Sequence, residues 1–195
     1  MAPAELYQDP QPEISQGDIL DLAPNVYLDR PLLALKNETE AIYSAYGEPF
    51  EHFQDKTGQS IIAKCKRARA IVVTHDCEID KPAVARYHIC PVVPLSHLSS
   101  KMQDQVKRNR VYSRYFLPSF RDLRQDSFVD FNQISTVDRD LIAATKRLLT
   151  LSDLGRRGLY AQFIRWATRW ELRHVTCPEC QVDFEPYANV PVRSE

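Results

Sequence analysis

The sequence has no long apolar run, no excess of positive charge and no internal repeat. Because about 20 consecutive apolar residues are needed to cross a bilayer, we expect no membrane-spanning helix. The first residues carry proline, glutamine and acidic side chains instead of a basic segment followed by an apolar one, so we expect no signal peptide and a cytoplasmic protein. The formal net charge of -1 gives no global attraction to nucleic acid, so any such binding requires a local basic surface.

The composition is that of an ordinary globular protein, with 44% hydrophobic and 26% charged residues in a chain of 195. That length suits one domain with appendages. We predict an extended lead-in over residues 1–13, a main domain over 14–172 with an insertion at 24–60, and a tail over 173–195.

Two apolar runs predict the central strands of this domain. Residues 70–74 (AIVVT) are β-branched and bounded by polar residues, which indicates a strand buried on at least one face. If the chain stays extended, His75 and Cys77 share a face beyond it. Residues 86–95 form the second run. Because Pro91 and Pro94 cannot donate to a ladder, we expect that strand at an edge or with a bulge.

The last third of the chain changes from strand to helix patterns. Residues 112–120 and 128–137 supply the remaining predicted strands. From residue 138 onward apolar side chains, including the leucines at 148, 149 and 151, recur at three- and four-residue steps. This spacing predicts an amphipathic helix over about 152–172, with Ser152 and Asp153 at its start.

Four segments, in order, resemble the MazF/PemK (CcdB-like) toxin family. They are residues 15–20 (SQGDIL), 69–74 (RAIVVT), 89–96 (ICPVVPLS) and 126–138 (DSFVDFNQISTVD). The most specific match is QISTVD at residues 133–138, which has the family's Gln-Ile-x-Thr-hydrophobic-Asp pattern ahead of a final helix. The resemblance implies a mainly β fold, a small SH3-like antiparallel β-barrel with a C-terminal helix.

The resemblance also implies a site for cleaving single-stranded RNA in a homodimer. The arginine before the second core strand and the hydroxyl residue after the Val-x-Pro strand assist cleavage in active members, and these positions are Arg69 and Ser96 here. A guanidinium stabilises negative charge that develops on a phosphate, and a hydroxyl holds or relays a proton. The family's proline is replaced by Ala70. The alternative is that Arg69 belongs to a solvated basic strand entrance over residues 66–69.

Residues 74–79 (THDCEI) are the densest group of reactive side chains. They also resemble a (Ser/Thr)-His-Asp-Cys-(Asp/Glu)-(Ile/Leu) segment of uncharacterised prokaryotic and phage proteins. A thiol with an imidazole can act as a nucleophile with its base, or both can bind a metal. His75 is therefore a candidate both as a catalytic residue and as a metal ligand. The alternative is a buried cysteine beside a turn-forming His-Asp pair.

The pair Cys177 and Cys180, with a Cys-Pro-Glu-Cys spacing, predicts half of a structural zinc site. A closed site needs four ligands. The candidates for the other two are His174, His75, Cys77, His88, Cys90 and Cys65, of which we favour Cys77 and His75. In a reducing compartment, an odd total of five cysteines suits metal binding better than a disulfide framework. The alternative is a pair of free thiols in a tail.

Basic residues alternate with aromatic ones over residues 101–124. Cationic side chains contact phosphates and exposed rings stack on bases, so this segment is the candidate surface for single-stranded RNA. The residues selected for this role are Lys107, Arg108, Arg110, Tyr112 and Arg114. A strand with core-facing aromatics and solvent-facing arginines has the same pattern.

Two functions remain open on the sequence alone. The first is an RNA-binding MazF/PemK-like protein that can cleave single-stranded RNA, from a toxin-antitoxin or phage-defence system, with an antitoxin or other protein as a further partner. The second keeps the fold without catalysis, as a zinc-stabilised binding or regulatory module.

Overall fold

A computed structural model describes residues 3–27, 33–35, 41–43, 61–62, 64–168, 175–176 and 183–184. The chain divides into two compact units, one formed by Met1–Ala23 with Ala68–Glu195 and the other by Pro24–Arg67. The predicted insertion at residues 24–60 falls within the second unit.

Strands dominate the described part of the chain. They are β1 (Tyr7–Gln8), β2 (Asp18–Tyr27), β3 (Leu33–Leu35), β4 (Ala41–Tyr43), β5 (Ile61–Ile62), β6 (Lys64–Val72), β7 (Arg86–Pro94), β8 (Arg114–Leu117), β9 (Ser127–Asp130), β10 (Ser135–Asp138), β11 (Arg147–Leu151), β12 (Val175–Thr176) and β13 (Asp183–Phe184). The helices are α1 (Pro3–Leu6), α2 (Asp76–Ile79), α3 (Ser100–Lys107), α4 (Arg139–Ala143) and α5 (Asp153–Thr168), with short 3₁₀ turns at Leu95–His97 and Phe131–Gln133.

An eight-stranded sheet has the strand order β1-β11-β2-β6-β7-β9-β8, with β10 also paired to β7. Every pair of this sheet whose register is described is antiparallel. The prediction of a mainly β protein with a C-terminal helix is therefore confirmed. The described pairings form an open order from β1 to β8 and do not close into a barrel.

Two smaller sheets accompany it. In the second unit, β3 pairs with β4 and β5 in the order β4-β3-β5. Near the end of the chain, β12 pairs antiparallel with β13, with Val175 opposite Phe184 and Thr176 opposite Asp183.

The strand β7 lies inside the sheet, so of the two predicted alternatives, an edge position or a bulge, the edge position is wrong. On the side away from β6, β7 pairs with β10 up to Ile89 and with β9 from Val92 onward. The backbone of His88 faces β6, since its carbonyl accepts a hydrogen bond from Val73 N. The backbone groups of successive strand residues face opposite neighbouring strands, and Pro91 is three residues after His88. The backbone of Pro91 therefore faces away from β6, toward the gap between β10 and β9. A proline is tolerated there because its missing N–H falls between two paired stretches.

Apolar side chains are buried on both faces of the sheet, and β6 shows this directly. Ile71 belongs to the cluster that includes Leu159 of α5, whereas Ala70 and Val72 belong to a second cluster. This alternation follows from the two-residue period of a strand. The predicted buried strand at residues 70–74 is thus buried on both faces through Val72.

The final helix α5 agrees with the prediction from Asp153 to Thr168, and the predicted residues 169–172 lie outside the described residues. The hydroxyl of Ser152 accepts a hydrogen bond from Gly155 N at 3.3 Å, as expected of a capping residue. The helix packs on the sheet, where Tyr115 Oη donates to the Gly155 carbonyl at 3.2 Å.

Two parts of the chain differ from their predicted form. The leucines of β11 have helical spacing but form a strand, buried along its length from Leu148 to Leu151 and paired with β1 and β2. Within the predicted lead-in, α1 is helical and β1 pairs with β11, which buries Leu6 and Tyr7. No helix among the described residues has the length and apolar character needed to span a bilayer.

Candidate functional site

A dense group of polar side chains forms where β6 ends and α2 begins. The backbone of His75 is extended, with φ −69 and ψ 145, and its side chain caps α2 by accepting from Cys77 N. The condition for a shared strand face, that the chain stays extended through residue 77, is therefore not met, because a helix begins at Asp76. Side chains from the turn before β2 and from α5 complete the group. We call this group the turn–helix cluster, and its members are Gln16, His75, Asp76, Cys77, Arg156 and Tyr160.

His75 and Cys77 are in direct contact within this cluster. The distance from His75 Nδ1 to Cys77 Sγ is 3.0 Å, and Cys77 N donates to the same Nδ1 at 3.3 Å. The ring of His75 meets Tyr160 edge to face, with centroids 5.5 Å apart. Since a backbone N–H always donates, Nδ1 is an acceptor and carries no proton in this arrangement, so the thiol is the only group that can donate in its contact with Nδ1.

Asp76 does not join this pair and instead connects three elements. Its Oδ1 accepts from Gln16 N at 2.6 Å, and its Oδ2 forms an ion pair with Arg156 Nη1 at 3.1 Å. Arg156 also bonds Asp153, one turn earlier on α5. Asp76 thus holds α2 against both the turn before β2 and the first turns of α5.

The Gln-Gly-Asp segment before β2 is a buried turn. Gly17 has φ +87, and a Cβ there would lie 3.0 Å from Leu151 Cβ and 3.1 Å from Arg156 Cγ. Gly17 N donates to Val72 O at 2.9 Å, and Gln16 Nε2 donates to Val73 O at 3.1 Å. These bonds tie the turn to the last residues of β6.

Asp18 stabilises the same turn from a fully buried position. Its carboxylate accepts from Ser15 N at 3.0 Å and from the hydroxyl of Thr150. Arg147 Nη1 lies 3.5 Å from Asp18 Oδ2. The segment that matches the family's Gly-Asp-Ile strand is therefore structural in this protein.

Arg69 and Ser96 lie away from His75. Because β6 and β7 are antiparallel with Ala70 opposite Pro91, Arg69 and Ser96 belong to one end of this strand pair and His75 to the other. The guanidinium of Arg69 is about one-third exposed and lies 3.8 Å from Asp21 Oδ1, and Ser96 is exposed in a 3₁₀ turn. The structure does not bring the three candidate catalytic residues together.

The proposed zinc ligands are only partly described. Cys177 and Cys180 lie outside the described residues, and the paired strands β12 and β13 flank their segment. A tetrahedral zinc would hold a sulfur and a nitrogen roughly 3.5 Å apart, so His75 and Cys77 would need a small opening from 3.0 Å. In the described part of the chain, no group of three or more His, Cys, Asp or Glu side chains could hold a metal.

The candidate RNA-binding residues form a second region, which we call the basic surface: Lys107, Arg108, Arg110, Tyr112 and Arg114. Its loop follows the end of α3, where Asn109 adopts a left-handed conformation with φ 51 and Arg110 N donates to Gln105 O at 2.9 Å. This helix-ending turn exposes Arg108 and Arg110.

The other members of the basic surface make intramolecular contacts. Lys107 Nζ lies 3.0 Å from Asp126 Oδ2, and the guanidinium of Arg114 lies over the Phe128 ring at 5.0 Å. Tyr112 is 40% exposed, and the guanidinium of Arg165 lies 4.2 Å from the centre of its ring. Arg108 and Arg110 therefore carry the charge most accessible to a ligand.

Electrostatics at the edge of the basic surface favour an ionised carboxylate. Partial burial alone would raise the pKa of Asp126, but hydrogen bonds from Ser119 and Lys107 outweigh it. The pKa of Asp126 is therefore held below its ordinary value of 3.8.

Three functional-site side chains on one helix were not predicted from the sequence. Arg156 and Tyr160 are four residues apart on α5 and lie on the face that meets α2. Arg165 contacts the basic surface. The available signal was the presence of arginines inside an otherwise amphipathic helix, which indicates contact with acidic or aromatic side chains but not which ones.

No protein-family model matches this sequence, and no curated protein matches it. The MazF/PemK resemblance stays a prediction that rests on the four sequence segments.

Proposed function

We propose that this protein binds single-stranded RNA through the basic surface. The observation that carries the proposal is the exposed pair Arg108 and Arg110 on a fixed turn beside Tyr112, whose ring is 40% exposed. Exposed guanidinium groups contact phosphates, and an exposed ring stacks on bases without sequence preference.

The arrangement around Tyr112 supports stacking. Arg165 Nη1 donates to Asn109 O at 3.3 Å, so the guanidinium that covers part of the Tyr112 ring is itself held by the turn. A ring held in one orientation loses less conformational entropy when a base stacks on it than a mobile ring does. Phosphate contacts from Arg108 and Arg110 would then follow the strand on either side of the stacked base.

The finer proposal is that the protein is a divergent MazF/PemK-like ribonuclease whose open sheet corresponds to the family's SH3-like barrel. Its support is the ordered four-segment resemblance and the location of the exposed Ser96 and the partly exposed Arg69 at one end of the β6–β7 pair. Under this proposal Arg69→Ala abolishes cleavage of single-stranded RNA while leaving RNA affinity and Tm nearly unchanged.

The test of RNA binding is fluorescence anisotropy with a labelled single-stranded RNA of about 12 nucleotides over a salt series. For Arg108→Gln with Arg110→Gln, we expect the log–log salt slope to fall by about 1.4, since each lost contact to a single strand removes about 0.7. Tyr112→Ala should weaken binding by roughly 1–3 kcal/mol with little change in slope.

The control is Arg86→Gln with Arg139→Gln, which removes the same charge from exposed positions elsewhere in the first unit. If both double variants reduce the slope equally, attraction is diffuse and the basic surface is not the site. If the unaltered protein binds no RNA tested, the proposal is wrong.

A second candidate function is the zinc-stabilised binding module, favoured by the pairing of β12 with β13 around the Cys177–Cys180 segment. Elemental analysis should then give about one zinc per chain, lost in Cys177→Ser, because a neutral hydroxyl is a poor zinc ligand. Bound zinc without RNA affinity would favour this module. RNA binding that persists after chelation would separate the two roles.

A further inference from the structure

We propose that Cys77 is a nucleophilic thiol with His75 as its proton acceptor, and that the pair forms a covalent-reaction site for soft carbon electrophiles. This site differs from the basic surface, and neither RNA binding nor RNA cleavage requires it. It belongs to the turn–helix cluster, which the proposed function leaves without a role.

The contact geometry supplies the two parts that a thiol nucleophile needs. The 3.0 Å separation of His75 Nδ1 and Cys77 Sγ lies within hydrogen-bonding distance. Nδ1 also accepts from Cys77 N, so this nitrogen presents a lone pair instead of a proton. Cys77 is partly exposed, and such exposure is one requirement for reaction with an electrophile from solvent.

The surrounding contacts hold the pair in place. The Tyr160 ring limits rotation of the imidazole by its edge contact. Asp76, between the two residues in sequence, is held by Gln16 N and Arg156. The start of α2, which carries Cys77, is therefore fixed from two other elements, and the two reacting groups need little reorganisation.

The other described cysteines provide a contrast within the same chain. Cys90 is buried, and this burial, with a smaller contribution from Asp130, raises the pKa of its thiol. Cys65 is exposed on β6. Because reactivity depends on both access and the thiolate fraction, we expect Cys90 to be inert and Cys65 to react as an ordinary surface thiol.

The reaction is a nucleophilic substitution at carbon. The proton of the Cys77 thiol passes to His75 Nδ1, and the sulfur electron pair forms a new S–C bond. With a haloacetamide the carbon–halogen bond breaks and halide leaves, while the imidazolium later releases its proton to solvent. No redox partner is needed.

The test is timed labelling of the full chain with iodoacetamide, read at each cysteine peptide by mass spectrometry. We expect Cys77 to react roughly tenfold or more faster than Cys65, although it is less exposed. His75→Ala should reduce the Cys77 rate roughly tenfold or more and leave the Cys65 rate unchanged. Added imidazole should restore part of the lost rate, which a purely structural role of His75 would not permit.

His88→Gln is the matched control, since this exposed histidine bonds Thr136 and not a cysteine. It should leave the Cys77 rate unchanged. Because Cys90 is buried, its labelling indicates that the protein has unfolded. If Cys90 is labelled in His75→Ala, that variant is replaced by His75→Gln. Equal rates at Cys77 and Cys65, or no effect of either His75 variant, would overturn the proposal.

The same labelling experiment, repeated after treatment with a chelator, tests whether Cys77 is bound to zinc. If the Cys77 rate is the same before and after treatment with a chelator, the thiol is available in the protein as isolated and the proposal is supported. If Cys77 labels only after chelation, the thiol is a metal ligand and the proposal is wrong.

Discussion

The turn–helix cluster and the basic surface use arginine in opposite ways. In the cluster, the side chain of Arg156 is 22% exposed and bonds two carboxylates, from Asp76 and Asp153. On the basic surface, Arg108 and Arg110 are exposed, and the described residues offer them no ion-pair partner. In the first arrangement the guanidinium is paired within the protein and holds α2 and α5 together, whereas in the second it is available to a ligand.

This difference separates residues that fix the fold from residues that can bind. Removing a buried partner leaves another polar group desolvated and unpaired, which costs several kcal/mol. Removing an exposed guanidinium costs little, because solvent already satisfies most of its hydrogen bonds. Stability measurements on residues next to each region test this contrast.

The largest loss of stability is expected for Asp18→Ala. The substitution leaves the Thr150 hydroxyl and Ser15 N without their acceptor and removes the carboxylate beside Arg147. Breaking such a buried arrangement costs about 3–5 kcal/mol. The measurement is the free energy of unfolding from urea titration.

Asp18→Asn is the control for this change, because it keeps the size of the side chain and one acceptor oxygen. It should cost less than Asp18→Ala. If Asp18→Ala changes the free energy of unfolding by less than about 1 kcal/mol, the turn before β2 is not held by its carboxylate.

The next prediction compares two residues with positive φ, Gly17 next to the turn–helix cluster and Asn109 next to the basic surface. In Gly17→Ala, strain at φ +87 adds to the close approach to Leu151 and Arg156, so we expect a loss of about 2–3 kcal/mol. Asn109 has φ 51 but is exposed. Asn109→Ala should therefore cost only about 1 kcal/mol, from backbone strain alone. Both changes in the free energy of unfolding are measured by thermal unfolding.

Equal losses for these two variants would contradict the contrast, because crowding at Gly17 would then contribute nothing. Asn109→Gly sharpens the comparison further. It removes the side chain while permitting the left-handed conformation, so its effect should stay within a few tenths of a kcal/mol.

Local sequence patterns predicted the elements whose own residue types distinguish them. The strand at residues 70–74 depends on a short β-branched run, and the cap at Ser152 on a hydroxyl beside a helix start, so both could be predicted. The strand β11 could not be predicted, because its leucines have the spacing of a helix. Only their burial in a strand paired with β1 and β2 shows that they belong to the sheet.

The candidate site shows the same limit. Proximity of His75 to Cys77 could be predicted, although the reason given, a shared strand face, was replaced by a helix cap. Contacts of Asp76 with Gln16 and Arg156 span 60 and 80 residues of sequence. No pattern within either segment encodes such pairing, since it arises only when β2, β6 and α5 come together.

The smallest effect is expected at the edge of the basic surface, where Lys107 pairs with Asp126. Asp126→Asn removes the charge but keeps an acceptor for Ser119 N, and both partners of the ion pair are substantially exposed. The cost at neutral pH should be about 0.5 kcal/mol.

The effect of Asp126→Asn should depend on pH. Because the folded-state pKa of Asp126 is below 3.8, the carboxylate's contribution to the free energy of unfolding is present above that value and is lost as pH falls through the folded-state pKa. The stability difference between the protein and Asp126→Asn should therefore vanish in acid, as measured by urea unfolding between about pH 7 and about pH 2. Asp122→Asn, at a nearby exposed position, is the control and should show no such convergence. A difference for Asp126→Asn that persists at the lowest pH would mean that the amide lost a hydrogen bond, not a charge interaction.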